Sequence, residues 1–257
     1  VGMIREAVMK LGFRDMYEVS LGADFVSKNE GQELLEHYEA GEKMTTSCCP
    51  AFVSLIKKHY PQVLKYMSTT VSPMTATGRL IKAMHPDAVC VFIGPCIAKK
   101  SEVIDSITFG GADYAMTYEE LASMFEAKNI DPEECTETLQ QGSKFGKQYS
   151  VSGGVTAAVL ETFKEANKEV DLKVKTCSGA LECKKALMLL KVGKLPEDFI
   201  EGMACVGGCV NGPAMLGKSR TFLKDRNGQI AKADDRGVLE NVAQYDEYGI
   251  NMTRNHQ

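Results

Sequence analysis

The chain has no two cysteines spaced as C-x2-C, no block of like charge, and no apolar run near the ~20 residues that cross a bilayer. Each absence removes a class of protein. Structural zinc sites usually arrive as paired C-x2-C knuckles, and Cys205 and Cys209, the last two cysteines, are four apart. Lys and Arg number 30 against 34 Asp and Glu, with the basic residues dispersed, so no nucleic-acid surface is expected. Without a spanning run, no membrane role is expected either. No secretory signal is visible, and the nine cysteines are an odd number. A disulfide framework therefore fits poorly, and a reducing, cytoplasmic setting is expected. Low-complexity stretches and short repeats are also missing.

With 257 residues and 44% hydrophobic content, the chain can bury a large core, in one domain or two lobes. Its periodicity predicts helices over 1–11, 23–40, 50–59, 73–84, 118–127, 155–167 and 180–191. Short apolar strands are expected over 16–21, 88–94, 112–116, 170–176 and 199–204, and a hairpin over 221–231 around Asn227-Gly228. Pro50 suits a first helical position, and Thr117 with Glu120 forms a capping-box pattern. Such alternation indicates an α/β fold with largely parallel sheets. Ligands in these folds gather at the carboxyl ends of strands, and Cys96 and Cys205 each follow a predicted strand. The chain opens on Val1 inside a predicted helix, so upstream sequence is expected to belong with it.

Three short motifs carry the chemistry: Thr46-Ser47-Cys48-Cys49-Pro50, Gly94-Pro95-Cys96-Ile97-Ala98-Lys99 and Met203-Ala204-Cys205-Val206-Gly207-Gly208-Cys209. Cys49, Cys96, Cys205 and Cys209 supply the four thiolates that a 4Fe–4S cubane requires. They come from three distant segments, so such a cluster would sit at a junction of loops. Zinc, redox thiols and plain buried cysteines are the competing readings. Cys90 lies in an apolar run and reads as packing; Cys135 reads as incidental. Cys177 and Cys183, six apart, could serve a local redox or second-cluster role. Cys48 is surplus to the ligand set.

The three motifs resemble the signature loops of the catalytic domain of iron-only (di-iron) hydrogenases. The likeness runs from Leu11-Gly12-Phe13 and Gly22-Ala23-Asp24 to about Gly212. It implies two lobes, each a small, largely parallel β-sheet flanked by helices, with the metal cluster between them. Approximate lobes would be 1–85 with 205–257, and 86–204, in one H-cluster domain over 1–257. The family's N-terminal strand and accessory iron–sulfur domains are expected to be missing from the chain. The implied cofactor is the H-cluster: a 4Fe–4S cubane bridged to a di-iron subcluster with CO, cyanide and azadithiolate. By position Cys49, Cys96, Cys205 and Cys209 match the cubane ligands, and Cys209 the one that bridges. Lys99 matches the lysine that contacts a cyanide, Glu102 its carboxylate partner, and Met203 a methionine two residues before a ligand. Cys48 matches the proton-passing thiol, followed outward by Glu30, Glu33 and Ser68. His37 falls where the prototype has an arginine at the surface end.

The likeness also has gaps. Gly94 replaces a methionine, Ala51-Phe52 replaces Gly-Trp, and the run after Cys209 is shortened to Asn211-Gly212-Pro213-Ala214. These mark a divergent branch. The resemblance implies an oxidoreductase that interconverts protons, electrons and H2 in an anaerobic setting. Ferredoxin or an accessory iron–sulfur domain would be its electron partner, and maturation proteins would supply the di-iron unit. A hydrogen or redox sensor with the same cofactor and a non-catalytic iron–sulfur assembly relative are the alternatives. A sensor predicts a broken relay; an assembly relative should lack Cys48 and the Lys99–Glu102 pair.

Overall fold

A computed structural model describes residues 2–107, 110–136, 139–217, 224, 227–228 and 230–254. Its backbone is α1 (Gly2–Lys10), α2 (Val19–Glu39), β1 (Met44–Thr45), α3 (Pro50–His59), α4 (Pro73–Met84), β2 (Val91–Ile93) and α5 (Ala98–Ile107). There follow β3 (Tyr114–Met116), α6 (Tyr118–Ala127), α7 (Lys144–Gln148), α8 (Gly154–Glu165), β4 (Val174–Ser178), α9 (Ala180–Lys191), β5 (Phe199–Met203) and α10 (Val238–Ala243).

Among the described residues the paired strands run parallel. One sheet has the order β1-β5-β4, with Val174 opposite Phe199 and Ser178 opposite Met203. The other pairs β2 with β3, with Val91 opposite Tyr114. The first sheet crosses the expected division of the chain: β1 lies on one side of that division, β4 and β5 on the other.

The long helix α2 organises the core. It packs against α4, α7, α8 and α10. Gly22 permits the closest approach, because a Cβ there would meet the Pro73 carbonyl at 2.3 Å and Thr77 Oγ1 at 2.2 Å. Its buried residues include Asp24, Ser27 and Glu30 beside Leu21, Phe25 and Val26. A helix that buries carboxylates must give them partners or keep them protonated.

Two expectations are corrected. No strand forms over 16–21; Glu18 is the N-cap of α2, and Val19-Ser20-Leu21 joins the helical period of the residues after it. The buried Glu18 carboxylate fixes this turn by accepting from the Gln141 and Gly142 N–H groups and pairing with Lys147 at 2.6 Å. The hairpin expected over 221–231 falls largely outside the described residues, but the turn at Asn227-Gly228 is not formed. Both residues are helical, and the Ala231 N–H donates to the Asn227 carbonyl; 221–223, 225–226 and 229 lie outside the described residues. The run 88–94 forms a ladder only over β2. Asp113 draws the Cys90 N–H to its carboxylate at 2.7 Å, which ends the pairing there.

Candidate metal centre

Each cysteine motif is held by local backbone chemistry. Cys49 is the N-cap of α3, in extended conformation, with Pro50 starting the helix. Thr46 and Ser47 before it are fully buried. Cys96 lies between the end of β2 and the start of α5, and its carbonyl accepts from the Lys99 N–H at 3.3 Å. Cys205 and Cys209 follow β5 around Gly207 (φ 81°) and Gly208 (φ 100°). At Gly208 only glycine fits, since a Cβ would stand 2.5 Å from the Ser150 carbonyl.

The structure brings Cys49, Cys96, Cys205 and Cys209 together. In all six pairings, one thiol's charge acts on the other. Burial, followed by the charges of Cys49, Cys96 and Cys205, pushes the Cys209 thiol up to about 12. Burial also raises Cys96, with Lys99 opposing, and it raises Cys205. Thiols that repel as anions are released from that cost by a bound metal. Among the described residues no three Cys, His, Asp or Glu side chains converge closely enough to hold one metal ion. Four mutually sensing thiols match the one thiolate per iron that a cubane requires.

Beside this set opens a cavity of about 2010 Å³, lined among others by Cys48, Cys49, Cys96, Lys99, Met203 and Cys209. Phe92 explains one departure from the resemblance. A Cβ on Gly94 would lie 2.7 Å from its ring, so the aromatic side chain occupies the space a larger residue at 94 would need. Phe52 is fully buried with its ring against Gly202, where a Cβ would stand 2.3 Å away.

Lys99 and Glu102 are one turn apart on α5 and both buried, with Nζ and Oε2 separated by 2.6 Å. Burial drives the Glu102 carboxyl up, but the positive charges of Lys99 and Arg254 outweigh it and hold the group below its ordinary value.

On the other side of the Cys48 loop a second carboxylate behaves oppositely. Glu30 is fully buried; it accepts from the Ser47 N–H at 3.2 Å and from the Tyr149 hydroxyl at 3.4 Å. Burial pushes its carboxyl up to about 8, the Ser47 N–H opposes this, and the nearby charge of Glu33 adds to it. Ser68, fully buried, donates to Glu33 at 2.6 Å and also lowers Glu30 by hydrogen bonding. Glu33 is half-buried and takes the Thr69 N–H and the Thr70 hydroxyl as well. The Cys48 thiol is pushed far up, first by burial and then by Glu30. The order from the cavity outward is thus Cys48, Glu30, Ser68, Glu33. His37, one turn beyond Glu33 on α2, has Nδ1 3.2 Å from the Glu42 carboxylate, without hydrogen-bond alignment.

Three residues at the site escaped the sequence reading. Tyr149 left no signal there. Glu201, fully buried on β5, accepts from the Gly153 and Thr156 N–H groups at the start of α8; a charge inside an apolar strand was its visible sign. Arg254 lies in a tail without motif. Cys177 and Cys183 pack in a core cluster with Phe52 and Leu187, and the Cys183 thiol donates to the Met203 carbonyl at 3.5 Å.

Comparison with known proteins defines the class first: residues 1–213 match the family model for the iron only hydrogenase large subunit, C-terminal domain. The chain belongs to that family. It is 32% identical to the periplasmic [Fe] hydrogenase large subunit of Nitratidesulfovibrio vulgaris, over 84% of this chain and 63% of that one. It is also 25% identical to the cytosolic Fe-S cluster assembly factor narfl of Danio rerio, over 92% of this chain and 72% of that one. A variant of the [FeFe]-hydrogenase HydA1 from Chlamydomonas reinhardtii superposes with TM-score 0.76 at 22% identity, covering 96% of this chain and 82% of that one. The chain spans only about half to two thirds of the curated hydrogenases it matches. No described helix is long and apolar enough to cross a membrane.

Proposed function

We propose that the chain is the catalytic domain of an iron-only hydrogenase, interconverting two protons and two electrons with H2. The observation that carries this reading is the buried line Cys48, Glu30, Ser68, Glu33, beginning at the cavity and ending half-exposed. Cys49, Cys96, Cys205 and Cys209 would hold the cubane, Cys209 would also serve the di-iron unit, and Lys99 on the cavity wall, backed by Glu102, would offer that unit a positive charge. The H-cluster, when bound, would supply the redox chemistry. The chain supplies proton delivery and charge. Burial keeps the Cys48 thiol protonated, so it stands ready to donate, and Glu30 near 8 can give and regain a proton around neutral pH. Ser68 links the two glutamates, and Glu33 meets solvent. Met203, buried at the end of β5, helps wall the cavity from water.

Electrons would enter near Cys205. Val206 beside it is 73% exposed and lies against Gly179, with Leu181, Lys184 and Lys185 exposed nearby. An apolar spot rimmed by lysines suits an acidic ferredoxin-type partner. The reduced thiols fit a cytoplasmic location, although a similar hydrogenase carries "periplasmic" in its name.

A second reading is non-catalytic iron–sulfur assembly, favoured by the similarity to the Danio rerio factor. The retained Cys48, Lys99 and Glu102 weigh against it. Infrared spectroscopy of protein matured with the di-iron machinery decides between them. CO and cyanide stretching bands are expected; a cubane without such bands would favour assembly.

A further inference from the structure

The tail 251–254 lies against the relay loop and the lysine pair at the same time. Val71 N–H donates to the Met252 carbonyl at 2.9 Å, the Arg254 N–H donates to the Thr69 carbonyl at 2.6 Å, and Thr70 bridges Thr253. Arg79 holds the Thr253 carbonyl at 3.2 Å and the Asn251 carbonyl. The guanidinium of Arg254 then turns inward. It lies 3.1 Å from the Ser47 carbonyl and 3.5 Å from Glu102 Oε1, with its side chain only 13% exposed. The tail lies beyond residue 213, the last that the family model matches.

Resting on the hydrogenase reading, we propose that Arg254 is a positioning residue for the di-iron pocket, holding Glu102 and the Cys48 loop together and adding a buried positive charge behind Lys99. Glu102 takes Lys99 on one oxygen and Arg254 on the other. Without Arg254 the lysine and the glutamate form a neutral pair. With it the trio carries one net positive charge, placed where an anionic cluster and its cyanides need it. Glu102, drawn from two sides, also claims less of the Lys99 ammonium, which lines the cavity while Arg254 does not. The same guanidinium holds the Ser47 carbonyl, and the N–H of that same residue donates to Glu30. One cation thus touches both the charge side and the relay side through a single nitrogen, Nη2, held in place by the planar guanidinium that lysine lacks.

The test compares Arg254→Gln and Arg254→Lys in the full chain, matured with its cofactor machinery. The readouts are the cubane reduction potential, the cyanide stretching frequencies and the exchange of the 69–71 amides. Arg254→Gln should keep its cubane iron, shift the potential negative, displace the cyanide bands and lose di-iron occupancy several-fold. Arg254→Lys keeps the charge and should keep the potential while the 69–71 amides exchange faster. An unchanged potential and unchanged bands in a folded Arg254→Gln would overturn the proposal. So would a displaced potential in Arg254→Lys, and that arm decides the matter if Arg254→Gln does not fold. Wild-type protein with a cubane but no cyanide bands would sink the hydrogenase reading alone, because the cubane potential would still test the role of Arg254.

Discussion

Two buried glutamates meet one residue, Ser47, at its two backbone groups and behave oppositely. Glu30 accepts the N–H of Ser47; Glu102 is tied to the Ser47 carbonyl through Arg254. Both are almost wholly buried, at 0% and 5% exposure, so burial pushes both carboxyls up. Only Glu102 has cations beside it, and they reverse the direction. Glu30 has hydroxyls, one amide and another carboxylate, and it stays raised to about 8. The difference shows how one fold gives one residue type two behaviours. A buried carboxyl with cations is held charged, and one without them is poised to exchange a proton, as the proposed relay requires.

On the hydrogenase reading both sides serve one cluster, and removing a ligand of that cluster would break the comparison most completely. Cys96→Ala is expected to lose the cubane and all activity, with iron content near zero. Cys177→Ala and Cys183→Ala, in the apolar core, should retain iron and cost a few kcal/mol of stability at most, on the order of other core truncations. Equal iron loss in Cys183→Ala and Cys96→Ala would overturn the ligand assignment.

The relay side is tested next. Cys48→Ser should keep the full cluster and its infrared bands yet lose turnover by about 10²–10⁴-fold, because a hydroxyl is far less acidic than a thiol. Glu33→Gln should be milder, since water can reach a half-exposed position. Full turnover in a fully loaded Cys48→Ser would remove the proton-carrier half of the comparison. On the charge side, Lys99→Asn should lower di-iron occupancy more than cubane content, measured as band intensity per iron. A parallel fall in both would show that Lys99 supports the fold and not the pocket.

Much of this pattern was legible in the sequence because it depends on local spacing. The Thr117–Glu120 capping box, Pro50 at the start of α3 and the bounds of α4, α6 and α9 are local features, and the structure contains them. The i, i+3 placement of Glu30 and Glu33 on α2, and of Lys99 and Glu102 on α5, is local too. What sequence could not give depends on distant chain. Whether Glu30 or Glu102 is paired is decided by Tyr149 and Arg254, more than 100 residues away in each case. The strand expected over 16–21 failed for the same reason, because Glu18 is fixed by Gln141, Gly142 and Lys147. Gly94 reads in the sequence as missing bulk, and only the fold shows the Phe92 ring in that space.

The smallest expected effect is on stability, and it separates the two glutamates directly. In the unfolded chain Glu30 ionises near 4.5, and in the fold near 8. Between these values the native state holds a proton that the unfolded state has released, so this group makes stability fall as pH rises from about 4.5 to about 8. Glu30→Gln removes that loss. Its unfolding free energy should be flatter across this window and higher than wild type by roughly a few kcal/mol at pH 8. Asp24, raised to about 6 by burial, leaves a smaller fall between its ordinary 3.8 and 6 in both proteins. Glu102 runs the other way. Its depressed carboxyl stabilises the fold above about pH 4.5 and loses that effect as pH drops below it. Glu102→Gln should therefore be less stable than wild type at neutral pH, with Lys99 and Arg254 left buried against each other. Urea unfolding read from about pH 2 to about pH 8 covers both slopes, the Glu102 one below about 4.5 and the Glu30 one above it. If the Glu30→Gln and Glu102→Gln curves ran parallel to wild type, the carboxyls would titrate alike in folded and unfolded chain, and the contrast between carrier and fixed charge would fall.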